Sequence, residues 1–399
     1  MNQRQSTLSA AIALALLVAS SAQAGEFRQA SNPVAGQYIV VLKPQAASIA
    51  GENRLTARAS QIGARIAAEY RAEITQTYDH VLRGFAVKAD DAALAKLLAD
   101  PRVEYVEEDG YVSATATQAG ATWGLDRVDQ RNLPLNTTYV YNRTGAGVHA
   151  YIIDTGMLTT HTQFAGRVGN GAYAINDGRG VTDCNGHGTH VAGTVGGATW
   201  GVAKSVILHP VRVLDCTGSG AWSGVIAGMN WVAANRIRPA VANMSLGGGL
   251  NTSVNAAVQT MANAGVTVVV AAGNDNANAC NYSPASAAAA ITVGATASND
   301  ARSIWTGGQA SNYGACLNIF APGTAIRSAW YTSTTATNTI SGTSMASPHV
   351  AGAAALYLQT HPTAAWNTVL NALVTTGTPN KVTGAGTGSP NRLLYTLGL

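Results

Sequence analysis

Short runs of apolar, mostly β-branched residues alternate with segments of helical periodicity along the chain from about residue 123. Near-continuous apolar runs are typical of parallel strands that helices cover on both faces, because a half-exposed strand alternates polar and apolar residues. The alternation therefore predicts an α/β fold, a doubly wound, mostly parallel sheet with helices on both faces. The predicted strands are 149–154, 205–214, 240–246, 266–272 and 290–295, and the predicted helices are 189–197, 222–236, 253–265 and 343–360.

A separate pattern precedes this region, over residues 38–109. Strand and helix patterns follow one another there in the order βαββαβ, which predicts a small α+β, ferredoxin-like domain. A segment of small residues without periodicity, 113–122, predicts the boundary between the two domains. The predicted strands are 38–43, 74–79, 84–89 and 103–109, and the predicted helices are 52–70 and 90–101.

The first 24 residues resemble a secretory signal peptide. Arg4 precedes an apolar run over 8–18, and Ser21-Ala22-Gln23-Ala24 is a small-residue cleavage sequence. The run is too short to span a bilayer, which argues against the alternative of a membrane anchor. Only 11% of the residues are charged, the net charge is +4, and no Lys/Arg cluster is present, so a nucleic-acid partner is not expected.

Four cysteines remain in the exported chain. An even number in an oxidising compartment favours two disulfides over buried free thiols. Four cysteines allow three pairings, and the spacing alone does not choose among them. The cysteines are Cys184, Cys216, Cys280 and Cys316.

Four polar residues stand at predicted strand ends or helix starts, where the functional residues of doubly wound sheets collect. Asp154 ends the run YIID and Asn274 follows VTVVVAAG; His187 lies in NGHGTH, and Ser344 stands where the last long helix begins. Each also has a structural interpretation, as a turn Asp or Asn, a structural His, or a Ser N-cap.

The stretch DCNGHGTHVAG (183–193) allows three chemistries. A zinc protease helix needs H-E-x-x-H, whereas His187 and His190 are three apart with no Glu between them, so a metal site is disfavoured. Cys184 belongs to an even set of cysteines, which disfavours a Cys–His nucleophile pair. The stretch therefore favours His187 as a general base and His190 as a structural residue.

The chain order of Asp154, His187 and Ser344 is the order found in subtilisin. The G-x-S-x-G elbow of the α/β-hydrolases is absent because Ala346 replaces its second glycine, which argues against an esterase or acyltransferase of that fold. From Trp123 to the C-terminus the sequence resembles the subtilisin-like serine proteases, and most of all the proteinase K subfamily. The resemblance rests on IIDTG (152–156), NGHGTHVAG (185–193), NMSLGGG (243–249), AAGN (271–274) and SGTSMASPHVAG (341–352).

The resemblance implies a subtilisin-like fold and a secreted serine endopeptidase of broad specificity. Ser344 would be the nucleophile, His187 its base and later the acid, and Asp154 the residue that orients His187. Asn274 would donate to the oxyanion. Intact counterparts of these four residues argue against a catalytically dead relative that only binds protein.

The substrate is expected to add as a strand between two chain segments. Residues 246–249 and 271–273, the expected walls of the primary pocket, include no acid, which argues against a preference for Lys or Arg. The expected edges are Gly218, Ser219 and Gly220 on one side and Ser245, Leu246 and Gly247 on the other.

The resemblance also implies the disulfides Cys184–Cys216 and Cys280–Cys316 and a structural Ca²⁺, but no cofactor for catalysis. Asp126, Asp129 and Gln130 would hold the ion, with a solvated acidic turn as the alternative. A second calcium site of the family is doubtful because Asn318 stands where an acid is expected. Segment 303–314 is longer than in close relatives.

The domain at 38–109 is similar to the inhibitory propeptide of this family. The expected organisation is a signal peptide at 1–24, a propeptide at 25–115 and a peptidase domain at 116–399, with self-cleavage near Thr115–Ala116 and the propeptide tail in the cleft. The expected partners are polypeptide substrates and the chain's own propeptide as an intramolecular inhibitor. We expect a monomer without a membrane partner.

Overall fold

The computed structural model describes residues 25–30, 33–51, 58–110 and 115–399, so the predicted signal peptide lies outside the described residues. The chain divides into two compact units, Met1–Ser113 and Ala114–Leu399. Across the described ranges, none of the helices combines the length and apolar character that crossing a membrane requires.

The first unit is a five-stranded sheet in the order β1-β5-β2-β4-β3. Apart from the edge pair β1–β5, the strands run antiparallel, as expected for a ferredoxin-like domain. The bounds are β1 (Glu26–Arg28), β2 (Pro33–Leu42), α1 (Ala46–Ile49), α2 (Ala59–Tyr70), β3 (Glu73–Tyr78), β4 (Gly84–Lys88), α3 (Asp91–Ala99) and β5 (Val103–Gly110).

Helix α3 of this unit begins at a polar residue that satisfies one of its first amide groups. Asp90 accepts a hydrogen bond from the Ala93 N–H at 2.8 Å and so caps α3. Ile62 and Ile66, one turn apart on α2, are buried with Phe85 of β4 in a hydrophobic core whose residues all belong to this unit. Part of the predicted helix 52–70 lies outside the described residues.

The second unit contains the remaining elements. Its helices are α4 (Trp123–Val128), α5 (His187–Gly196), α6 (Trp222–Asn235), α7 (Thr252–Asn263), α8 (Thr343–Thr360) and α9 (Trp366–Thr376). Its strands are β6 (Ala116–Ala119), β7 (Thr138–Tyr141), β8 (His149–Asp154), β9 (Ala172–Tyr173), β10 (Ile207–Arg212), β11 (Ala240–Met244), β12 (Gly248–Gly249), β13 (Val266–Ala271), β14 (Tyr282–Ser283), β15 (Ala290–Thr296), β16 (Ile319–Pro322), β17 (Ile326–Ala329), β18 (Thr337–Ile340), β19 (Thr378–Pro379) and β20 (Arg392–Leu393).

The central sheet has nine strands in the order β19-β20-β16-β15-β13-β11-β8-β10-β9. Every pair in it is parallel except β19–β20. The chain passes from β8 to β10 on one side and then returns to place β11 on the other side of β8. Such a reversal opens a crevice at the carboxyl ends of the two strands, which is where doubly wound sheets bind ligands.

The two faces of this sheet enclose separate cores. Ala150 and Ile152 of β8 pack on the face covered by α5 and α8. Tyr151 and Ile153, their alternate neighbours, pack on the face covered by α6 and α7. The predicted architecture, with helices on both faces, is confirmed.

Some predicted bounds were wrong. Helix α5 begins at His187, two residues before the predicted start. The segment 113–122 was predicted to lack regular structure, but it contains β6, which pairs antiparallel with β7. Helix α9 was not predicted at all; its buried Val369 and Leu373, four residues apart, form its inward face.

Candidate active site

Asp154 is the last residue of β8 and lies at the reversal of the sheet. Its side chain is fully buried, which is costly for a carboxylate without partners. Oδ1 accepts hydrogen bonds from the Thr155 N–H and from His187 Nδ1, both at 2.7 Å, whereas Oδ2 has no partner in the described structure. The paired oxygen therefore faces His187.

His187 is the first residue of α5. Its Nδ1 donates to Asp154, so Nε2 is the nitrogen left to exchange a proton, and 24% of the side chain remains exposed. Burial opposes the charged imidazolium, but the carboxylates of Asp154 and Asp183 outweigh burial and raise the pKa of His187 above its ordinary value. The arrangement suits a base that becomes cationic during a reaction.

Asp183 holds the start of α5 in place, a role that the sequence did not reveal. Its Oδ1 accepts from the N–H groups of Asn185 and Gly186 at 2.9 Å and from the Thr155 hydroxyl at 3.0 Å. Its Oδ2 accepts from the N–H and hydroxyl of Thr189 at 2.9 and 2.6 Å. Five donors thus fix one buried carboxylate at the helix N-terminus, where negative charge is favourable.

Two glycines allow this turn to form. Gly186 has φ of 107°, which a residue with a side chain rarely adopts. A Cβ on Gly188 would collide with the carbonyl oxygen of Gly156, which follows Asp154 by two residues. The glycines on either side of His187 therefore let α5 approach the end of β8 closely.

Ser344 is the second residue of α8, after Thr343 and the N-cap Gly342. Its hydroxyl donates to the carbonyl of Ser245 at 3.2 Å, and none of the hydrogen bonds in the described residues joins it to His187. The interpretation of Ser344 as an N-cap is excluded, because Gly342 occupies that position and Ser344 makes no capping bond.

Buried polar bonds fix the backbone of Ser344 against β11. The Ser245 hydroxyl donates to the Ser344 carbonyl at 2.8 Å and accepts from Asn243 Nδ2, also at 2.8 Å. Asn243 Oδ1 in turn accepts from the Ser347 hydroxyl at 2.7 Å. Sequence reasoning missed Asn243 and Ser347; the signal available was a polar residue inside an apolar strand and another inside a small-residue helix.

Asn274 lies just beyond β13, beside the start of α8. Its Oδ1 accepts from both the N–H and the hydroxyl of Thr343 at 2.9 Å. The Thr343 hydroxyl also accepts from the Gly273 N–H at 3.1 Å. Because a backbone N–H can only donate, these bonds identify the amide oxygen and leave Nδ2 as a donor beside Ser344.

A cleft of about 610 Å³ contains His187 and both predicted substrate edges. Asp215 shapes one edge, since its Oδ1 accepts from the Thr217 and Ser219 N–H groups and from the Thr217 hydroxyl. The structure thus brings together the six predicted edge residues, Gly218, Ser219, Gly220, Ser245, Leu246 and Gly247, and adds Leu214, Trp222 and Val225 as apolar lining.

A second cavity, of about 330 Å³, adjoins this cleft and contains Ser344 and Asn274. Its walls include 246–248 and 271–273, which were predicted to form the primary pocket. They also include Asp275, which sequence reasoning overlooked. The predicted wall residues themselves include no acid, and Asp275 is exposed at the rim of the cavity.

The four cysteines form two disulfides. Cys184 pairs with Cys216 and Cys280 with Cys316, so no cysteine is free. The first pair links the turn before His187 to the loop that contains Gly218. The guanidinium of Arg212 lies 3.4 Å from the Cys184 sulfur and pairs with Asp177.

The predicted calcium ligands lie on and after α4. Asp126 and Asp129 are 1% and 5% exposed, which excludes a solvated acidic turn. The Asp126 carboxylate accepts hydrogen bonds from the N–H groups of Asn136 and Thr137, whereas Asp129 Oδ1 is buried without a hydrogen-bond partner in the described structure. Burial raises the pKa of Asp129 to about 6. An unpartnered buried carboxylate oxygen fits a bound cation.

His190 lies one turn into α5 and is fully buried. Its Nε2 contacts the carbonyl of Ile326 at 2.9 Å, and burial lowers its pKa to about 3, so it is neutral. Within the described residues, the one cluster with metal-ligand spacing is Asp177, Cys184 and Cys216, whose sulfurs are bonded to each other. Neither histidine belongs to such a cluster.

Comparison with known proteins gives two family matches. A model described as "Subtilase family" matches residues 145–393, more than half of the chain, and one described as "Peptidase inhibitor I9" matches residues 37–115. The chain belongs to the subtilase family. This subtilase is 62% identical over 325 residues to an extracellular serine proteinase of Thermus sp. (strain Rt41A). The aligned region covers 82% of this chain and 78% of the relative.

Other relatives agree with this assignment. The subtilase is 48% identical over 370 residues to alkaline serine exoprotease A of Vibrio alginolyticus, covering 91% of this chain and 68% of that protein. A solved structure of a cold-adapted subtilisin-like serine proteinase matches with a TM-score of 0.67 and 51% identity, over 70% of this chain and 99% of that chain. The protein is an extracellular serine endopeptidase that is synthesised with an inhibitor domain and needs no cofactor for catalysis.

Proposed function

We propose that Ser344, His187 and Asp154 hydrolyse peptide bonds of polypeptide substrates through an acyl-enzyme. The observation that supports this most directly is the 2.7 Å bond from His187 Nδ1 to a fully buried Asp154, because it leaves Nε2 as the base. Ser344 and Asn274 line the cavity that adjoins the cleft of His187.

In the first step, Ser344 Oγ attacks the scissile carbonyl carbon while His187 Nε2 takes the hydroxyl proton. The C–N bond then breaks, and the proton passes from His187 to the departing amine. Water repeats the sequence on the ester, giving the carboxylic acid and free Ser344. Asp154 remains ionised throughout and stabilises the imidazolium.

The oxyanion of each tetrahedral intermediate accepts hydrogen bonds from Asn274 Nδ2 and from the Ser344 N–H. The Thr343 bonds to Asn274 Oδ1 support this role, since they fix the amide before substrate binds. A donor that is already oriented requires no reorganisation when the negative charge develops.

Ser344 must leave the Ser245 carbonyl before it can give its proton to His187. A substrate strand that pairs with the edge at Ser245 would donate its own N–H to that carbonyl and compete with the hydroxyl. We infer that substrate binding thereby favours rotation of Ser344 toward His187.

Specificity is proposed to be broad. A substrate strand between Gly218–Gly220 and Ser245–Gly247 gains backbone hydrogen bonds that do not depend on its side chains. The exposed rim position of Asp275 leaves the inner walls of the primary pocket uncharged, so we propose no strict requirement for Lys or Arg.

We further propose Ca²⁺ as a structural ion bound by Asp126, Asp129 and Gln130. The buried, unpartnered Asp129 Oδ1 supports this assignment, and Gln130 Nε2 donates to the carbonyls of Asn132 and Pro134, so Oε1 is the atom available to a cation. The ion would neutralise two buried carboxylates and have no part in the reaction.

The proposed maturation removes residues 1–24 as a signal peptide and 25–115 by self-cleavage near Thr115–Ala116, after which we propose that the enzyme is a monomer. Ser344→Ala, secreted from a protease-deficient host, should accumulate a chain that begins near Gly25, as N-terminal sequencing and mass measurement would show. Wild type should begin near Ala116 and hydrolyse casein until a sulfonyl fluoride blocks it. Trimming of the variant near Ala116 would refute self-processing.

A further inference from the structure

The loop 272–277, which follows β13 and carries Asn274, has an irregular backbone. Gly273 has φ of 99° and Asn276 has φ of 52°, so residues in the left-handed region stand on both sides of the proposed oxyanion donor. The Ala272 N–H still bonds to β15, but the paired register of the two strands ends one residue earlier. From there on, the loop leaves the sheet and depends on contacts from another segment.

That segment is 310–313, which runs parallel to the loop. The Ala310 N–H donates to the Asn274 carbonyl at 3.2 Å, and the Tyr313 N–H donates to the Ala277 carbonyl at 3.0 Å. These backbone bonds hold the loop at Asn274 and at its far end. The stretch between them is held by a side chain.

The side chain of Asn312 fills this place and is fully buried. Its Oδ1 accepts hydrogen bonds from the N–H groups of Asp275 and Ala277, at 2.9 and 3.0 Å. Its Nδ2 donates to the Ala272 carbonyl at 2.9 Å. One amide therefore bonds to the backbone both before and after Asn274.

Gly273 lets the loop pass close to this amide. The Asn312 N–H donates to the Gly273 carbonyl at 2.9 Å, and a Cβ on Gly273 would lie only 2.4 Å from Asn312 Nδ2. The Gly273 N–H donates in turn to the Thr343 hydroxyl, which also donates to Asn274 Oδ1. Asn312 thus holds the backbone of the loop, whereas Thr343 orients the side-chain amide of Asn274.

The three side-chain bonds of Asn312 require an amide. Two backbone N–H groups need an acceptor and one backbone carbonyl needs a donor, and an amide offers both on separate atoms, with two lone pairs on its oxygen. A carboxylate at this position would keep the acceptor and lose the donor. Alanine would leave all three backbone groups without these bonds.

We propose that Asn312 is a positioning residue for the oxyanion donor, because it holds the loop 272–277 so that Asn274 Nδ2 is in place before the negative charge develops. The inference rests on the proposed oxyanion role of Asn274. The described residues that line the cavity of Ser344 include Asn274 but not Asn312, so Asn312 acts through Asn274 rather than on the substrate. A displaced donor weakens a bond to the transition state, so kcat should fall more than KM rises.

The test is a double-mutant cycle of Asn312→Ala with Asn274→Leu, measured by hydrolysis of a peptidyl anilide. Asn312→Ala alone should lower kcat by about 10–100-fold and change KM by less than about 3-fold, a smaller loss than the 10²–10³ in kcat established for removal of this donor in subtilisin itself. In the Asn274→Leu background, Asn312→Ala should lower kcat by less than about 3-fold, because no donor is left to position.

Asn391→Ala is the matched control. The Asn391 amide also bridges backbone groups, since its Oδ1 accepts from the Val382 N–H and its Nδ2 donates to the Val382 carbonyl, both at 2.8 Å. The control should lower the Tm and leave kcat unchanged. Precursors that do not mature by themselves would be trimmed by immobilised wild-type enzyme, which is then filtered away, and kcat would be referred to the active sites titrated with a sulfonyl fluoride.

The proposal is overturned if Asn312→Ala leaves kcat unchanged, lowers it equally in both backgrounds, or lowers it no more than the control does. If Asn274→Leu itself leaves kcat unchanged, the proposed oxyanion role fails instead, so the two failures are distinguishable. If Asn312→Ala does not fold, Asn312→Asp takes its place in the cycle, since it keeps both acceptor bonds. Any effect of its added charge on the oxyanion is present in both backgrounds and cancels in the cycle.

Discussion

Replacing Asp183 with asparagine tests whether the carboxylate behind His187 both holds α5 and adjusts the base. Asn retains one acceptor oxygen and replaces the other with an amide donor. If the oxygen keeps its bonds to Asn185, Gly186 and Thr155, the amide faces the N–H and hydroxyl of Thr189. The bond from the Thr189 N–H is then lost, whereas the hydroxyl can turn and accept from the amide.

A hydrogen bond to a charged acceptor contributes about 1.5–3 kcal/mol, so losing the one from Thr189 N–H should lower the free energy of unfolding by about that amount. That is a substantial part of the roughly 5–15 kcal/mol that stabilises a typical domain. At roughly 2–4 °C per kcal/mol, the Tm should fall by roughly 3–12 °C. Calorimetry in a Ser344→Ala background avoids autolysis during the measurement.

The pH profile gives a readout that a purely structural role would not move. Burial lowers the pKa of His187, and Asp154 and Asp183 raise it above its ordinary value. Since His187 must be neutral to accept the Ser344 proton, removing the Asp183 charge should move the acidic limb of kcat/KM to lower pH. The assay is anilide hydrolysis between about pH 4 and 9, around the ordinary pKa of His.

Asp215→Asn is the matched control. The three hydrogen bonds of Asp215 all go to Oδ1, so the asparagine can keep them. The substitution removes a carboxylate from the cleft edge, whereas the carboxylates that raise the pKa of His187 are Asp154 and Asp183. We expect an unchanged acidic limb and little change in Tm. The reasoning is refuted if Asp183→Asn leaves the limb in place, raises it, or shifts it no further than Asp215→Asn does.

Three other perturbations have defined outcomes. Asn274→Leu should lower kcat by about 10²–10³ with little change in KM, a magnitude established for this donor in subtilisin itself; stopped-flow kinetics showing a KM effect alone would contradict the oxyanion role. His349 of α8 is buried, and burial lowers its pKa to about 4. The unfolded chain therefore binds a proton at His349 below pH about 6.5 while the folded protein does not, so the free energy of unfolding should fall by up to about 1.4 kcal/mol per pH unit between pH 6.5 and 4. His349→Gln should flatten this pH dependence in denaturant unfolding, and an unchanged slope would contradict the assignment. A chelator should lower the free energy of unfolding of the Ser344→Ala protein by about 2.7 kcal/mol if free Ca²⁺ had been at a hundred times its Kd, and adding Asp129→Asn should abolish this response. Without Ca²⁺ at pH 7, the Asp129→Asn variant should be more stable than Ser344→Ala alone, because the raised pKa of Asp129 makes its ionised form costly in the fold. Equal responses of the two proteins to chelator would exclude the ion at this site.

Much of the fold could be predicted because its signals are local. The run HAYIID ends at Asp154 in both the sequence pattern and the structure, and α8 has the predicted bounds of 343–360. The start of α5 was harder to place, since glycines at 186 and 188 weaken helical propensity on both sides of His187. There the tertiary contact with the end of β8 and the bonds to Asp183 determine where the helix begins.

The site was less predictable wherever its contacts join distant segments. Asp183 lies in the stretch DCNGHG and yet showed no pattern of its own. Asn185, Gly186 and Thr189 follow it closely in the chain, but the Thr155 hydroxyl, which joins α5 to the end of β8 through Asp183, lies 28 residues away. Asp275 was overlooked because a pocket rim is defined by the path of the chain rather than by a motif.

The alternation of strands and helices, the two-domain organisation and the order of Asp154, His187 and Ser344 could be predicted because periodicity and motifs lie in neighbouring residues. Which oxygen of Asp154 meets His187, and which end of the Asn274 amide is free, could not be predicted because both follow from contacts between separate segments of the chain. These contacts depend on the reversal of strand order at β8 and β11, which brings residues 28 to 99 positions apart in the chain into hydrogen-bonding contact.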